Sequence, residues 1–212
     1  MNPRTVREWT DGPAGRIECA IDRPEAAPVG VAVICHPHPQ GGGTLDNKVA
    51  QTLARAFVEV GWASVRFNFR GVGESEGSWD DGRGEVEDAL AVIHETRAKV
   101  DFAGLPLALA GFSFGGFVAA AAAERLADAD KPRRMVLVAP STQKQDVPAV
   151  PQGTIVVQGD ADELVPLEST LAWARPQDLP VIVFPGVGHF FHGRIALLKG
   201  IVVRELRGLD AI

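Results

Sequence analysis

A chain of 212 residues with 46% hydrophobic and 23% charged side chains has the apolar material for a buried core, which excludes disordered, collagen-like and coiled-coil readings. Its 27 acidic against 21 basic side chains leave a net charge of -6, which repels phosphate backbones and anionic lipid, so neither nucleic acid nor a membrane is an expected partner. The two cysteines, Cys19 and Cys35, form no CxxC and support neither a disulfide scaffold nor a thiolate metal centre.

Residues 1–9 hold no apolar stretch of signal-peptide length, and no later run approaches the roughly 18 apolar residues of a spanning helix. One domain over residues 1–212, in the cytoplasm, is expected. Strands are expected at 17–21 and 30–35, followed by a helix at 46–60 with Val49, Leu53, Phe57 and Val60 at helical spacing. A strand at 63–69 and a helix at 83–100 come next. A short apolar strand at 105–110 then leads to an Ala-rich helix at 116–126. Strands at 135–138, 154–157 and 181–184 and a helix at 190–206 complete the chain. Such alternation implies an α/β fold with a mostly parallel sheet flanked by helices. The longest connections, 71–84 and 140–153, follow strand C-terminal ends, the edge at which open α/β sheets bind ligands.

Gly111-Phe112-Ser113-Phe114-Gly115 is a GxSxG between a strand and a small-residue helix. That context is a nucleophile elbow: the turn is so tight that only glycine fits beside the serine, and the Ser113 hydroxyl is lifted out at the sheet edge. The Phe114 amide then opens a helix, where an oxyanion is favoured. The plainer reading makes Ser113 an ordinary helix N-cap.

Three stretches carry a resemblance: Val33-Ile34-Cys35-His36-Pro37-His38-Pro39, Asn68-Phe69-Arg70-Gly71-Val72-Gly73-Glu74-Ser75, and the elbow, in that order. The chain resembles the α/β-hydrolase superfamily. Its HPHP loop, followed by Gly41-Gly42-Gly43-Thr44-Leu45-Asp46-Asn47-Lys48, is similar to that of small cap-less bacterial hydrolases. The resemblance implies partners in the order Ser, acid, His. Gly159-Asp160-Ala161-Asp162-Glu163-Leu164-Val165-Pro166 offers three carboxylates, and the superfamily pattern GxxDxxVP selects Asp162, with Asp160 read as a turn residue. Only His189 and His192 follow Asp162. The Gly-flanked loop position of His189 matches the superfamily's base, whereas His192 is expected on the first turn of the last helix. The HPHP loop implies the second oxyanion amide. Pro37 and Pro39 have no N–H, so His38 is the first credible donor and Gln40 the second.

Two rivals arise from the same residues. His36 and His38 with Asp46 would make a metal site, and Gly71, Gly73 and Gly77 after a strand invite a dinucleotide. The glycine spacing is GxGxxxG and no helix opens at it, so the second reading lacks its context. After the strand at 135–138 only about 15 residues precede the next strand, too few for a helical lid. The expected function is a cofactor-independent serine hydrolase of small carboxylic esters or thioesters. Ser113 attacks, His189 moves the proton, Asp162 orients His189, and the amides of His38 and Phe114 hold the oxyanion. The same triad could cleave peptides or lactones or carry out perhydrolysis, and a non-catalytic binding protein on the same fold is the rival from another class.

Overall fold

The computed structural model describes residues 5–209, so residues 1–4 of the opening segment and the last three residues lie outside the described residues. Eight strands form one sheet in the order β1-β2-β4-β3-β5-β6-β7-β8. β1 (Val6–Gly12) and β2 (Gly15–Asp22) are an antiparallel hairpin at one edge, and β2 is also antiparallel to β4 (Ala63–Phe67). From β4 onward the ladder through β3 (Val31–Cys35), β5 (Leu107–Phe112), β6 (Arg134–Val138), β7 (Ile155–Gly159) and β8 (Val181–Phe184) is parallel.

Period-two alternation sends successive strand side chains to opposite faces, and both faces are covered, so the parallel strands read as unbroken apolar runs. Leu107 and Leu109 of β5 join the core under α2 (Arg83–Ala98) and α3 (Phe114–Arg125). Ala108, Ala110 and Phe112 join the opposite core, under α1 (Lys48–Glu59) and α5 (Ile195–Leu209). A fifth, short helix, α4 (Leu167–Ala174), follows β7 and contributes Ala174 to a small cluster with Val156 and Leu179. No helix among the described residues is long and apolar enough to cross a membrane.

Two elements differ from the sequence expectation by their presence. β1 has charges at Arg7, Glu8 and Asp11 and a half-exposed Trp9. It is held by backbone pairing to β2 and by ion pairs Arg7–Glu18 at 2.9 Å and Glu8–Lys99 at 2.8 Å. α4 buries only Thr170 and Ala174, which leaves no apolar stripe to read. A third difference moves a residue: α5 starts at Ile195, so His192 sits in the preceding loop and not on a helical turn. Phe191 and Gly193 on either side have φ of 52° and 70°, a left-handed backbone that helix cannot continue through.

The loop after β4 is locked by two buried carboxylates of α2. Asp88 accepts from the Arg70 amide at 2.9 Å and from its guanidinium at 2.8 Å, while Glu85 accepts from the amides of Asp80 and Gly82. Asp88→Ala is therefore expected to strand the Arg70 guanidinium, which is only 12% exposed. The expected loss of stability is about 3 kcal/mol, read from urea denaturation midpoints; a change too small to resolve would mean that the pair does not hold the loop.

Candidate active site

Ser113 sits between β5 and α3 with φ 56° and ψ -120°, a strained conformation for a residue with a side chain. Neighbouring atoms show why the flanking residues are glycine. A Cβ on Gly111 would collide with the Gly115 carbonyl, and one on Gly115 with the carbonyls of Cys35 and His36. The elbow can fold only where β5, α3 and the end of β3 meet without side chains between them. Its backbone is held by the Ser113 amide donating to the Val138 carbonyl at 2.9 Å.

His189 stands over the serine, its Nε2 3.0 Å from Ser113 Oγ and its Nδ1 2.8 Å from Asp162 Oδ2. An ionised carboxylate only accepts, so Nδ1 carries the hydrogen and Nε2 is free to accept from the serine hydroxyl. The other Asp162 oxygen takes the amides of Leu164 at 2.9 Å and Val165 at 2.8 Å. Burial alone would raise the Asp162 carboxyl, but the hydrogen bonds from His189, Val165 and Leu164 outweigh it and hold the group below its ordinary value. The loops bearing Asp162 and His189 are stitched together. Asp160 Oδ1 accepts from the Gly186 amide at 2.6 Å, and the Ala161 amide donates to Val187 at 3.2 Å.

The HPHP loop lies on the other side of Ser113. His36 is fully buried, and the Phe69 amide donates to its Nε2 at 3.1 Å. Nδ1 therefore carries the hydrogen and donates to the Pro37 carbonyl at 2.7 Å. Burial pushes this imidazole down to about 3, so it stays neutral. No cis peptide is present among the described residues. In a trans peptide C=O and N–H point in opposite directions, so with the Pro37 carbonyl turned to the buried ring, the His38 N–H points away from it. The His38 carbonyl accepts from Gly41 and Gly43 at 3.0 Å, and neither the His38 nor the Phe114 amide donates to another backbone carbonyl among the described residues. His38, Gln40, Ser113 and Phe114 line one cleft of about 320 Å³. A second hollow of about 520 Å³ adjoins the far side of His189, lined by Glu163, Phe190, His192 and Arg194.

His36 uses both ring nitrogens inside the protein, and Asp46 is paired with Arg7 at 2.6 Å and Arg66 at 3.3 Å. The metal set His36, His38 and Asp46 is thus not available. Among the described residues no three His, Cys, Asp or Glu side chains converge as metal ligands. The glycines at 71–77 do not cradle a phosphate either. A Cβ on Gly73 would strike Asn68, and the Glu74 amide there donates to the Glu18 carboxylate at 3.1 Å, an acid where a pyrophosphate would need donors.

Three contributors escaped the sequence reading. Gln158, fully buried on β7, donates to Asp162 Oδ2 at 2.9 Å and to the Val165 carbonyl at 2.9 Å, bracing the carboxylate from behind. Its signal was a lone polar side chain at the end of a buried strand, a residue type seldom inside without a partner. Trp79 packs tilted against the His38 ring at 4.6 Å and against Phe114 at 5.2 Å. Lys144, in the long connection after β6, reaches the cleft that holds Ser113.

No helix stands between β6 and β7 to roof the serine; this architecture is that of an α/β hydrolase without a lid. The chain belongs to the family described as X-Pro dipeptidyl-peptidase (S15 family), whose model matches residues 11–179. It is similar to a solved alpha-beta serine hydrolase homologue from Coxiella burnetii, with 39% identity and TM-score 0.86 over 95% of this chain and 97% of that one. A Xanthomonas campestris α/β serine hydrolase without lid is 36% identical with TM-score 0.88, over 98% and 95% of the two chains. An uncharacterized protein of Rickettsia prowazekii (strain Madrid E) is 39% identical over 111 residues, 52% of this chain and 46% of that relative.

Proposed function

We propose that this protein hydrolyses small carboxylic esters or thioesters through a Ser113-His189-Asp162 triad and an acyl-enzyme intermediate. The observation that carries the reading is the unbroken hydrogen-bond chain from Ser113 Oγ through both nitrogens of His189 to Asp162. His189 Nε2 takes the hydroxyl proton as Ser113 Oγ attacks the acyl carbon. Asp162 holds the imidazole in the needed tautomer and stabilises the imidazolium that forms. The amides of His38 and Phe114 receive the negative charge developing on the carbonyl oxygen. Collapse expels the alcohol or thiol, which takes the proton from His189, and water then releases the acid by the same steps in reverse. The buried, unpaired thiols of Cys19 and Cys35 fit a reducing compartment such as the cytoplasm.

Membership of the S15 family raises peptide cleavage as a second reading. An X-Pro dipeptide would form the acyl half of the substrate and carry a free ammonium beside Ser113. The cleft there contains a lysine and no carboxylate, which favours the ester reading. The test is covalent labelling of Ser113 by a fluorophosphonate, followed by turnover of ester and thioester panels against an Xaa-Pro p-nitroanilide. A non-catalytic binding protein would leave Ser113 unlabelled, and faster amide than ester turnover would replace the esterase by a peptidase.

The pH profile is a further expectation. A base must be neutral to accept the serine proton. His36 and His38 are both held below the ordinary imidazole value by burial, with Lys144 adding to the effect at His38, and Asp162 is held below the ordinary carboxylate value. Each of these shifts moves the group's titration away from neutral pH toward acid. Activity is expected to be lost toward acid pH, where the base is protonated, and to be unchanged by exhaustive EDTA treatment. Loss of activity on chelation with recovery on zinc or manganese would replace the triad by a metal centre.

A further inference from the structure

Among the polar groups of the cleft beside Ser113 that the proton chain does not use are two on one turn, Lys144 and Ser141. Lys144 is exposed and, among the described residues, makes no ion pair. Its position is nevertheless set from the nucleophile. The Ser113 carbonyl accepts from the Ser141 amide at 3.2 Å, and the Ser141 carbonyl accepts from Lys144 at 3.2 Å and Gln145 at 2.9 Å. Thr142 between them is tied to Ser169 of α4 at 3.0 Å. The turn bearing Lys144 is therefore one hydrogen-bonded step from the elbow. The second group is the Ser141 hydroxyl, on a residue only 6% exposed that lines the same cleft.

The charge of that cleft is one-sided. Its lining combines apolar Phe114, Leu164 and Val165 with Lys144 and contains no Asp or Glu. The hollow beyond His189 has Glu163 and Arg194 together and is balanced. The two spaces also differ in chemistry. A leaving group must depart beside the imidazole that protonates it, which assigns the hollow at His189 to the alcohol or thiol. The cleft that contains Ser113, His38 and Phe114 but not His189 then receives the acyl chain.

Resting on the serine-hydrolase reading, we infer that the preferred substrates carry a carboxylate on the acyl chain: they are monoesters or monothioesters of dicarboxylic acids, with the free carboxylate on Lys144 and the Ser141 hydroxyl. The intervening methylenes lie along Leu164, the exposed apolar side chain of that cleft. An exposed ammonium attracts an anion modestly over a few ångströms, and salt weakens that attraction.

The experiment compares monoethyl hexanedioate with ethyl hexanoate, two esters of equal acyl length, followed by pH-stat titration. In the parent protein kcat/KM is expected to be about threefold higher for the anionic ester at low salt. That ratio is expected to fall toward one in Lys144→Met and with added salt, and in Lys144→Glu to drop below one. A ratio near one in the parent, or the same ratio in Lys144→Met, overturns the inference. Protection of Ser113 from a fluorophosphonate gives a second readout that needs no turnover. Monoethyl hexanedioate is expected to slow labelling more than ethyl hexanoate in the parent and not in Lys144→Met, and equal protection overturns the inference. A parent protein that the fluorophosphonate does not label at all overturns the hydrolase reading itself, an outcome distinct from loss of the charge preference.

Discussion

Ser113→Ala is expected to lower kcat/KM for p-nitrophenyl acetate by about 10³-fold or more while the unfolding transition stays close to that of the parent. The deleted oxygen lies at the sheet edge and makes one side-chain hydrogen bond, to His189. Its loss opens no core cavity. The strained backbone at φ 56° is kept by the Val138 and Gly116 hydrogen bonds on either side, and alanine meets it with the same Cβ as serine. Steady-state kinetics and thermal unfolding of the same preparation check both halves. A variant that hydrolyses the ester near the parent rate removes Ser113 from the chemistry.

Asp162→Asn should cost about 10⁴-fold in the acylation step, and Asp160→Asn far less. The reason lies in which atoms surround each carboxyl. Asp162 Oδ1 accepts two backbone amides that cannot turn away, so an asparagine must keep its carbonyl there. Its NH2 then faces His189 Nδ1 and Gln158 Nε2, both of which arrive as donors. The imidazole can answer only by moving its hydrogen to Nε2, which leaves nothing to accept the serine proton. Asp160 meets one amide, that of Gly186, and asparagine retains an oxygen for it. Single-turnover acylation rates for the two variants separate them, and the opposite order would transfer the orienting role to Asp160.

Several features were legible because their causes are local. At the elbow a Cβ on Gly111 would meet the Gly115 carbonyl four residues on, while Gly115 and Gly116 are held small by the end of β3 and by Pro140. The central strands were legible because burial on both faces demands continuous apolar residues. The boundaries at the elbow shifted: β5 runs on to Phe112 and α3 begins at Phe114, since a strand and a helix here share a single residue as their joint. β1 and α4 went unread because backbone pairing and polar anchors hold them, which leave no hydrophobic period.

Ser113, Asp162 and His189 were selected by motif and chain order, yet their meeting depends on groups that no motif contains. Gly186 bound to Asp160, and Val187 bound to Ala161, draw the β7 and β8 loops together. The sequence by itself determined the order of the central strands, the glycine-framed serine turn and the short connection after β6. These follow from sterics and hydrophobic periodicity, which act over one or two turns of chain. Only the tertiary structure decided that His36 is a buried clip turning the His38 amide outward, that Gln158 braces the carboxylate, and that the Ser141 turn brings Lys144 to the nucleophile. The His36 and Lys144 outcomes rest on single hydrogen bonds between residues far apart in the chain, Phe69 to His36 and Ser141 to Ser113, and the Gln158 one on the turn after β7 folding Asp162 and Val165 back over it; such bonds have no period to read.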